Sequence, residues 1–239
     1  MSALFEELDY CPTPSGALSL RRRHDLKLGK DVWEILLGDA FLMSSHFTAS
    51  EVALGQLGVA ACPGSSLDIV VGGLGLGYTA EAVVGHASVA ELIVVDFFKP
   101  VIEWHQTGLL PMGTRLADDP ACRLVQGDFF AMAAGDGFDP KQTGRCFDAV
   151  LVDIDHDPDH LLDSRSEGFY RVDGLRALKR HLKPGGIFGL WSDKATDPRF
   201  LERLAAAFPK AWAEPVTFDN PLTGNPFTQT VYLAQAETN

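Results

Sequence analysis

Hydrophobic and polar residues alternate in blocks that predict strands and helices in turn from Leu67 onward. Short apolar runs are separated by amphipathic stretches, an order typical of a parallel sheet with helical crossovers. This pattern predicts a mostly parallel, seven-stranded α/β sheet with its ligand at the carboxyl ends of the strands. The predicted strands start at residue 67 and then span about 92–95, 122–126, 147–152, 187–191, 213–218 and 227–234, and the predicted helices span about 78–84, 100–109, 169–182 and 198–208.

The chain before Leu67 is predicted to form a small appendage to that sheet. Residues 1–16 contain two prolines and a glycine, which predicts a poorly ordered lead-in or lid. Residues 17–28 and 31–44 mix apolar and polar positions and predict two antiparallel strands.

A helix is predicted to follow those strands. Thr48, with Glu51 three residues later, fits a capping box, and the amphipathic pattern after it ends before Pro63. We therefore divide the chain into a lid, small sheet and helix over residues 1–62 and a larger α/β domain over residues 63–239.

Composition and charge restrict the class of protein. The 239 residues carry a net charge of −12, which argues against a nucleic-acid partner because phosphate binding needs a basic stripe. Apolar runs stay below the roughly 20 residues that cross a bilayer, and the first residues lack the basic and apolar regions of a signal peptide. We therefore expect a cytoplasmic protein with no membrane association. Its four scattered cysteines are expected to be free thiols.

The segment LDIVVGGLGLGYTAE, residues 67–81, carries the main chemical signal. An apolar run leads into Gly73, Gly75 and Gly77 at alternate positions, and a predicted helix follows. Such a turn lets the backbone approach a nucleotide, and its free amides favour an anionic group. The same pattern also occurs in a tight strand-to-helix connection, so the residues downstream have to decide between the two.

Three aspartates follow predicted strands at the ligand edge of the sheet. Asp96, next to Phe97, lies about 20 residues beyond the glycine loop, the spacing of a carboxylate that binds a ribose diol. Asp128 could accept a hydrogen bond from an adenine amino group while Phe129 covers the ring. Asp153 ends a buried strand, where a charge is unfavourable unless it is used or paired, and is the candidate catalytic carboxylate. A solvated strand end and an ordinary Gly-Asp turn are the alternatives for Asp96 and Asp128.

Together the motifs VVGGLGLG, IVVDFFKPVIEW, CRLVQGDFF, FDAVLVDIDHDP and LKPGGIFGLW resemble the spermidine synthase branch of the class I S-adenosylmethionine-dependent methyltransferase fold. The resemblance covers roughly residues 32–233 and implies a Rossmann-like sandwich. It also implies an S-adenosylmethionine-binding catalytic domain over residues 63–239 and a homodimer. Asp153 matches the catalytic aspartate that opens the DSSDP loop of that family.

The resemblance is incomplete at three places that bear on function. Gly75 stands where the family has an aspartate that holds the amine end of decarboxylated S-adenosylmethionine. Its absence favours intact S-adenosylmethionine, whose carboxylate could then meet the loop amides. Of the family's tyrosine–histidine–glutamate stretch only the acid, Glu51, is kept. The DSSDP loop becomes DIDHDP, one residue longer and with His156 inserted.

The remaining candidates surround this loop. Asp155 and Glu51 could draw a cationic substrate, and Trp191 could line its pocket, although core packing is the simpler role of a tryptophan. Tyr170 follows the acidic segment and could point into the site. His156 is a second candidate for the base near neutral pH. The acidic segment 153–163 could also bind a metal, but it lacks a fixed ligand period, so we expect none.

These residues predict an S-adenosylmethionine-dependent transferase, first of all one that methylates a small, amine-bearing acceptor. The alternative is transfer or cyclisation of the three-carbon arm, which releases methylthioadenosine and can use the decarboxylated cofactor. A binding protein without catalysis is the third possibility.

Overall fold

The computed structural model describes residues 4–238 and contains two β-sheets within them. An antiparallel N-terminal sheet has the order β1-β2-β3-β4. Its strands are β1 (Phe5–Thr13), β2 (Gly16–Asp25), β3 (Lys30–Leu37) and β4 (Ala40–Ser44). The second sheet has seven strands, which are β5 (Leu67–Gly72), β6 (Val89–Asp96), β7 (Cys122–Gln126), β8 (Phe147–Val152), β9 (Leu182–Ser192), β10 (Lys210–Asn220) and β11 (Asn225–Gln235).

Helices connect the strands of the second sheet and cover both of its faces. They are α1 (Ala49–Ala61), α2 (Tyr78–Val84), α3 (Lys99–Thr107), α4 (Arg115–Asp118), α5 (Phe129–Ala134), α6 (Val172–Lys179) and α7 (Pro198–Ala207), with a 3-10 helix at Ser164–Tyr170. Two clusters of buried side chains, one on each face, form the core. Among residues 4–238, no helix is both long and apolar enough to span a membrane.

The second sheet has the order β10-β11-β9-β8-β5-β6-β7, in which β5 to β9 pair in parallel and β11 pairs antiparallel with both β9 and β10. This confirms the predicted mostly parallel, seven-stranded α/β sheet of the Rossmann-like type. Its central strands are continuous apolar runs because both faces are covered, as at Val70 and Val150, which are fully buried. The chain runs from β5 to β6 and β7 on one side and then crosses to β8 on the other. This reversal opens a crevice at the carboxyl end of β5.

Helix α1 packs directly on the second sheet. A Cβ atom added to Gly58 would lie 2.5 Å from Leu151 of β8, and one added to Gly55 would lie 2.8 Å from Ala82 of α2. The two glycines therefore allow α1 to approach closely. The predicted division at residues 62 and 63 stays a prediction, but α1 contributes to the core of the larger domain.

The prediction for the first residues was wrong where the structure describes them. Residues 5–13 form β1, which pairs antiparallel with β2, and residues 1–3 lie outside the described chain. Ion pairs Glu6–Arg22 and Glu7–Arg21 join the two strands. The polar, half-exposed pattern of β1 hides its strand character, because none of its residues is fully buried.

Three further boundaries differ from the predicted elements. Residues 31–44 form two strands, since the chain turns at Gly38, which has φ +58°. The helix predicted from residue 169 begins at Val172, after the 3-10 helix, and α4 and α5 were not predicted. Thr48 precedes α1 but its side chain makes no capping hydrogen bond, so the predicted capping box is absent.

Candidate active site

A cavity of about 770 Å³ opens at the carboxyl ends of β5, β6 and β8. The N-terminal sheet covers part of it with Ile35, Leu42 and Met43. Of the predicted site residues, Tyr170 does not line it. Those that do are Glu51, Gly73, Gly75, Gly77, Asp96, Phe97, Asp128, Phe129, Asp153, Asp155, His156 and Trp191. The fold thus brings together residues from more than half of the chain, and their individual roles stay predictions.

The three loop glycines have positive φ angles and different surroundings. A Cβ atom on Gly73 would lie 2.0 Å from the Asp153 carbonyl oxygen, and one on Gly77 would lie 2.8 Å from His105. Both positions therefore require glycine. A Cβ atom on Gly75, at φ +47°, would meet only Met43, at 3.6 Å, so Gly75 leaves open space beside the cavity.

Four of the loop amides have acceptors within the protein. The Gly73 N–H donates to the Val95 carbonyl at 2.9 Å, the Leu74 N–H to Asp96 Oδ2 at 2.9 Å, and the Gly77 N–H to the Leu74 carbonyl at 2.7 Å. The Gly75 N–H also donates to Asp96. The expectation that the loop amides receive the carboxylate of intact S-adenosylmethionine is therefore weakened for these four amides, because their hydrogens are already used.

Asp96 organises this loop from the end of β6. Its carboxylate accepts the Leu74 N–H at 2.9 Å and the Phe98 N–H at 2.8 Å, and its side chain is almost fully buried. Burial raises the pKa of Asp96, and the backbone donors oppose the rise. The carboxylate still borders the cavity at the place expected of a ribose ligand.

The predicted adenine pocket is arranged differently from the expectation. Asp128 caps α5 by accepting the Ala131 N–H at 3.1 Å. Phe129 is buried beneath Gly72 and stacks on Phe138 with 4.8 Å between the ring centroids. Phe97 is 48% exposed at the cavity mouth, so it offers more free ring surface than Phe129.

Glu51 and Asp153 form a pair of carboxyls on the cavity wall. The Thr79 hydroxyl donates a hydrogen bond to Asp153 Oδ2 at 2.6 Å. The same hydroxyl lies 3.1 Å from the backbone carbonyl oxygen of Glu51. Burial raises the pKa of Asp153 to about 6, against the effect of the Thr79 hydrogen bond. Burial and the charge of Asp153 raise the pKa of Glu51 to about 7. The pair therefore titrates near neutral pH.

Ser50 connects Glu51 to Trp191 and Gln229. The Trp191 indole N–H donates to Ser50 Oγ at 2.8 Å. Ser50 Oγ lies 2.7 Å from Glu51 Oε2 and 2.6 Å from Gln229 Oε1. Sequence reasoning missed Ser50, Thr79 and Gln229, because these contacts join positions up to 179 residues apart and no local pattern marks them.

Asp155 and Tyr170 support the acidic loop from beneath. Both side chains are buried. Asp155 accepts the Tyr170 hydroxyl at 2.7 Å, the Ser166 hydroxyl at 3.2 Å and the Leu162 N–H at 2.6 Å. Since both carboxylate oxygens are engaged, Asp155 fixes the path of the loop. Tyr170 contributes to the cavity through Asp155 rather than by lining it.

The wall of the cavity is strongly acidic. The carboxyl-bearing residues that line it are Glu51, Asp96, Asp128, Asp153, Asp155 and Asp163, against one guanidinium, Arg165, which pairs with Asp163. Within the described residues, no group of three or more His, Cys, Asp and Glu side chains is arranged to hold a metal ion. The geometry suits a cationic ligand better than an anionic one.

Known proteins resemble this chain in part of its sequence and in its fold. The chain is 28% identical over 120 residues to "Polyamine aminopropyltransferase 2" of Pseudomonas aeruginosa, a match that covers 50% of this chain and 32% of that protein. The matched stretch is therefore less than a third of that relative. No family model matches the chain.

Solved structures resemble the whole chain. Spermidine synthase from Thermotoga maritima has a TM-score of 0.71 at 15% identity, over 98% of this chain and 73% of that one. A spermidine synthase in complex with the transition-state analogue AdoDATO has a TM-score of 0.71 at 16% identity, over 98% of this chain and 73% of that one. A probable spermidine synthase from Corynebacterium glutamicum has a TM-score of 0.64 at 16% identity, over 95% of this chain and 79% of that one. The chain has a spermidine synthase-like fold.

Proposed function

We propose that the protein transfers the three-carbon arm of decarboxylated S-adenosylmethionine to a small cationic amine. The observation that carries this proposal is the acidic cavity behind a glycine loop in which four amides already have acceptors. Intact S-adenosylmethionine would place its own carboxylate among six carboxyl-bearing side chains with one guanidinium. The decarboxylated cofactor and a polyamine are both cationic and would be attracted to the same wall.

The known proteins that resemble this chain support arm transfer more than methyl transfer. The matching curated relative is a polyamine aminopropyltransferase, and the similar structures are spermidine synthases. Arm transfer was the alternative that the sequence left open, and methyl transfer was its first expectation. We therefore place arm transfer first.

The residues fit a displacement reaction with one proton transfer. When bound, the decarboxylated cofactor supplies an electrophilic methylene on its sulfonium, and cleavage of that carbon–sulfur bond leaves methylthioadenosine. Asp153, held by Thr79, takes a proton from the acceptor ammonium, which frees the nitrogen electron pair for the new carbon–nitrogen bond. Asp96 and the glycine loop orient the nucleoside. Ile35, Leu42 and Met43 of the N-terminal sheet exclude water.

Methyl transfer from the intact cofactor is the second candidate. The absence of a carboxylate at Gly75 favours it, because the open space there does not repel the cofactor's amino-acid carboxylate. A small amine acceptor and a homodimer remain predictions in either case.

Mass spectrometry of the nucleoside product separates the candidates. The purified protein is incubated with either the decarboxylated or the intact cofactor, together with putrescine or one of a panel of small amines. We expect methylthioadenosine and an aminopropylated amine from the decarboxylated cofactor. We expect little turnover of the intact one.

Each other outcome has a defined meaning. S-Adenosylhomocysteine as the main product would overturn the proposal in favour of methyl transfer. Methylthioadenosine from intact cofactor without an acceptor would indicate self-cyclisation. Saturable cofactor binding without any product over the whole panel would indicate a binding protein.

A further inference from the structure

The Ser50 hydroxyl has more hydrogen-bond acceptors around it than its single proton can serve. Trp191 Nε1 can only donate, so Ser50 Oγ accepts from it at 2.8 Å. Glu51 Oε2 at 2.7 Å and Gln229 Oε1 at 2.6 Å then compete for one hydroxyl hydrogen. One of these two oxygen atoms would face Ser50 without a hydrogen unless it brings its own.

Glu51 is the group that can bring this hydrogen. If its carboxyl is protonated, Glu51 donates to Ser50, Ser50 donates to Gln229, and every contact in the cluster has one proton. Ser50 is fully buried and Glu51 nearly so, which makes an unsatisfied contact or an unpaired charge unfavourable there.

The surroundings of Asp153 favour its ionised form. Asp153 accepts a hydrogen bond from the Thr79 hydroxyl at 2.6 Å, which stabilises an ionised carboxylate. Glu51 and Asp153 both line the cavity, and the charge of Asp153 acts on Glu51. Two ionised carboxylates there would repel each other, so one proton on the pair relieves the repulsion. The hydrogen-bond partners place that proton on Glu51.

We propose that Glu51 and Asp153 act as one carboxyl pair that holds a single proton on Glu51 in the resting site and loses it when a cationic amine binds. Asp153 is unprotonated both before and after this step and can accept the proton of the amine, and Glu51 adds its negative charge to the amine subsite only when a cation is present. The last step rests on the proposed function, whereas the position of the resting proton does not.

The titratable groups that face Glu51 are few. Asp153 approaches it from the end of β8, and Tyr78 lies on α2. Burial, with the charges of Glu81 and Glu51, raises the pKa of Tyr78, so this phenol stays neutral near pH 7. Ser50, Thr79, Trp191 and Gln229 carry no charge. The proton therefore belongs to the two carboxyls.

Infrared spectroscopy of the resting protein tests the position of the proton. We expect a carbonyl band of a protonated carboxyl near pH 7 that is lost in Glu51→Gln and kept in Glu81→Gln, a matched variant on α2 outside the cavity. In Asp153→Asn the band should disappear at a lower pH than in the wild type, because the repelling neighbour is gone. Loss of the band in Asp153→Asn alone would put the proton on Asp153 and overturn the assignment.

Calorimetry tests the release of the proton. Putrescine is titrated into the complex with methylthioadenosine, which cannot react, in two buffers of different ionisation enthalpy. We expect release of up to about one proton per amine near pH 7 in the wild type and in Glu81→Gln, and none in Glu51→Gln. Equal enthalpies in both buffers for the wild type would contradict the pair.

The pH dependence of amine binding gives a third measure. Because Glu51 gains its charge as pH rises through about 7, the apparent Kd for putrescine should fall roughly fivefold between pH 6 and pH 8. In Glu51→Gln the apparent Kd should be nearly independent of pH. If Gln229 instead turns its amide nitrogen towards Ser50, Glu51 is ionised throughout. The infrared band is then absent, and Glu51→Gln weakens binding at every pH.

These results are independent of turnover. A band and a released proton without any aminopropylated product would leave the pair intact and reject the proposed function. An aminopropylated product without the infrared band would support the proposed function and reject the carboxyl pair. Equal melting temperatures of the Glu51→Gln and Glu81→Gln variants would show that both are folded.

Discussion

Both ends of the seven-stranded sheet carry clustered acids, but the hydrogen-bond donors to these acids differ: they are guanidinium groups for Asp139 at the amino end and a neutral hydroxyl for Asp153 at the carboxyl end. At the amino end, Asp139 accepts two hydrogen bonds from Arg123, at 2.9 and 2.8 Å, and one from Arg145 at 3.0 Å. These guanidinium groups hold the pKa of Asp139 far below its usual range. At the carboxyl end, Asp153 accepts from the neutral Thr79, and its pKa is raised.

The difference follows from what surrounds each carboxyl. Acids at the amino end form an ion-pair network, and they include Asp68, Glu91, Asp139 and Asp148, which contact Arg123, Arg145 and Lys183. Removing one partner from such a network destabilises the folded chain, because it leaves a charge without compensation. At the carboxyl end, Glu51, Asp96 and Asp153 have no ion-pair partner among the described residues, although Asp163 pairs with Arg165. Buried acids without such partners are unfavourable for stability and suit the binding of a cation.

The largest expected effect is on turnover. Asp153→Asn should lower kcat at least about 100-fold, because a base acts on the barrier, while affinity for the nucleoside changes little. Steady-state kinetics with calorimetry of cofactor binding measure both quantities. The matched variant Asp148→Asn, in the same strand but at the paired end, should keep kcat and lose stability. Equal losses of kcat in the two variants would contradict the comparison.

The second effect is on stability. Arg123→Met leaves the buried Asp139 with Arg145 as its remaining guanidinium partner, and should lower the free energy of unfolding by about 2 kcal/mol. Denaturant unfolding measures it, and kcat should be unchanged in the folded variant. Arg171→Met removes an exposed pair with Glu167 and should change stability by less than about 1 kcal/mol. A similar loss in both would show that the network adds nothing beyond surface pairs.

The smallest effect concerns the choice of cofactor. Gly75→Asp adds one more carboxyl to the acidic end, into space bordered by Met43. It should raise the preference for decarboxylated over intact cofactor about tenfold in kcat/KM, through attraction of the amine and repulsion of the carboxylate. Gly75→Asn imposes the same backbone strain without the charge and is the control. A change in preference that Asn reproduces would not be electrostatic.

Much of the fold could be predicted because its central strands are continuous apolar runs. The span of β8 and the helix from Tyr78 to Val84 agree with the predicted residues, and glycines mark the loop between β5 and α2. Strand β1 was missed because a half-exposed edge strand carries little hydrophobic pattern. Short helices such as α4 leave too few positions for a period to be recognised.

The site was predicted in outline and missed in its details for a similar reason. Strand ends and glycines are local signals, and they placed Asp96 and Asp153 on the cavity wall. Hydrogen bonds between distant side chains leave no local signal. His105 is an example, since this fully buried residue holds the Gly75 carbonyl at 3.0 Å through Nε2 although its helix pattern indicates only packing.

The hydrogen bond between Tyr170 and Asp155 links two residues that are 15 positions apart and so closes the chain between them into a loop. With both ends of the segment fastened, the entropy of the exposed residues between them depends only weakly on their number, because doubling the length of a flexible loop costs roughly 0.6 kcal/mol. Insertions into this segment should therefore cost little, provided that the ion pairs of Asp159 with Arg199 and Arg203 are kept. In the proposed reaction this segment borders the cavity through Asp155, His156 and Leu162, so a change in its length would alter the space available to the amine.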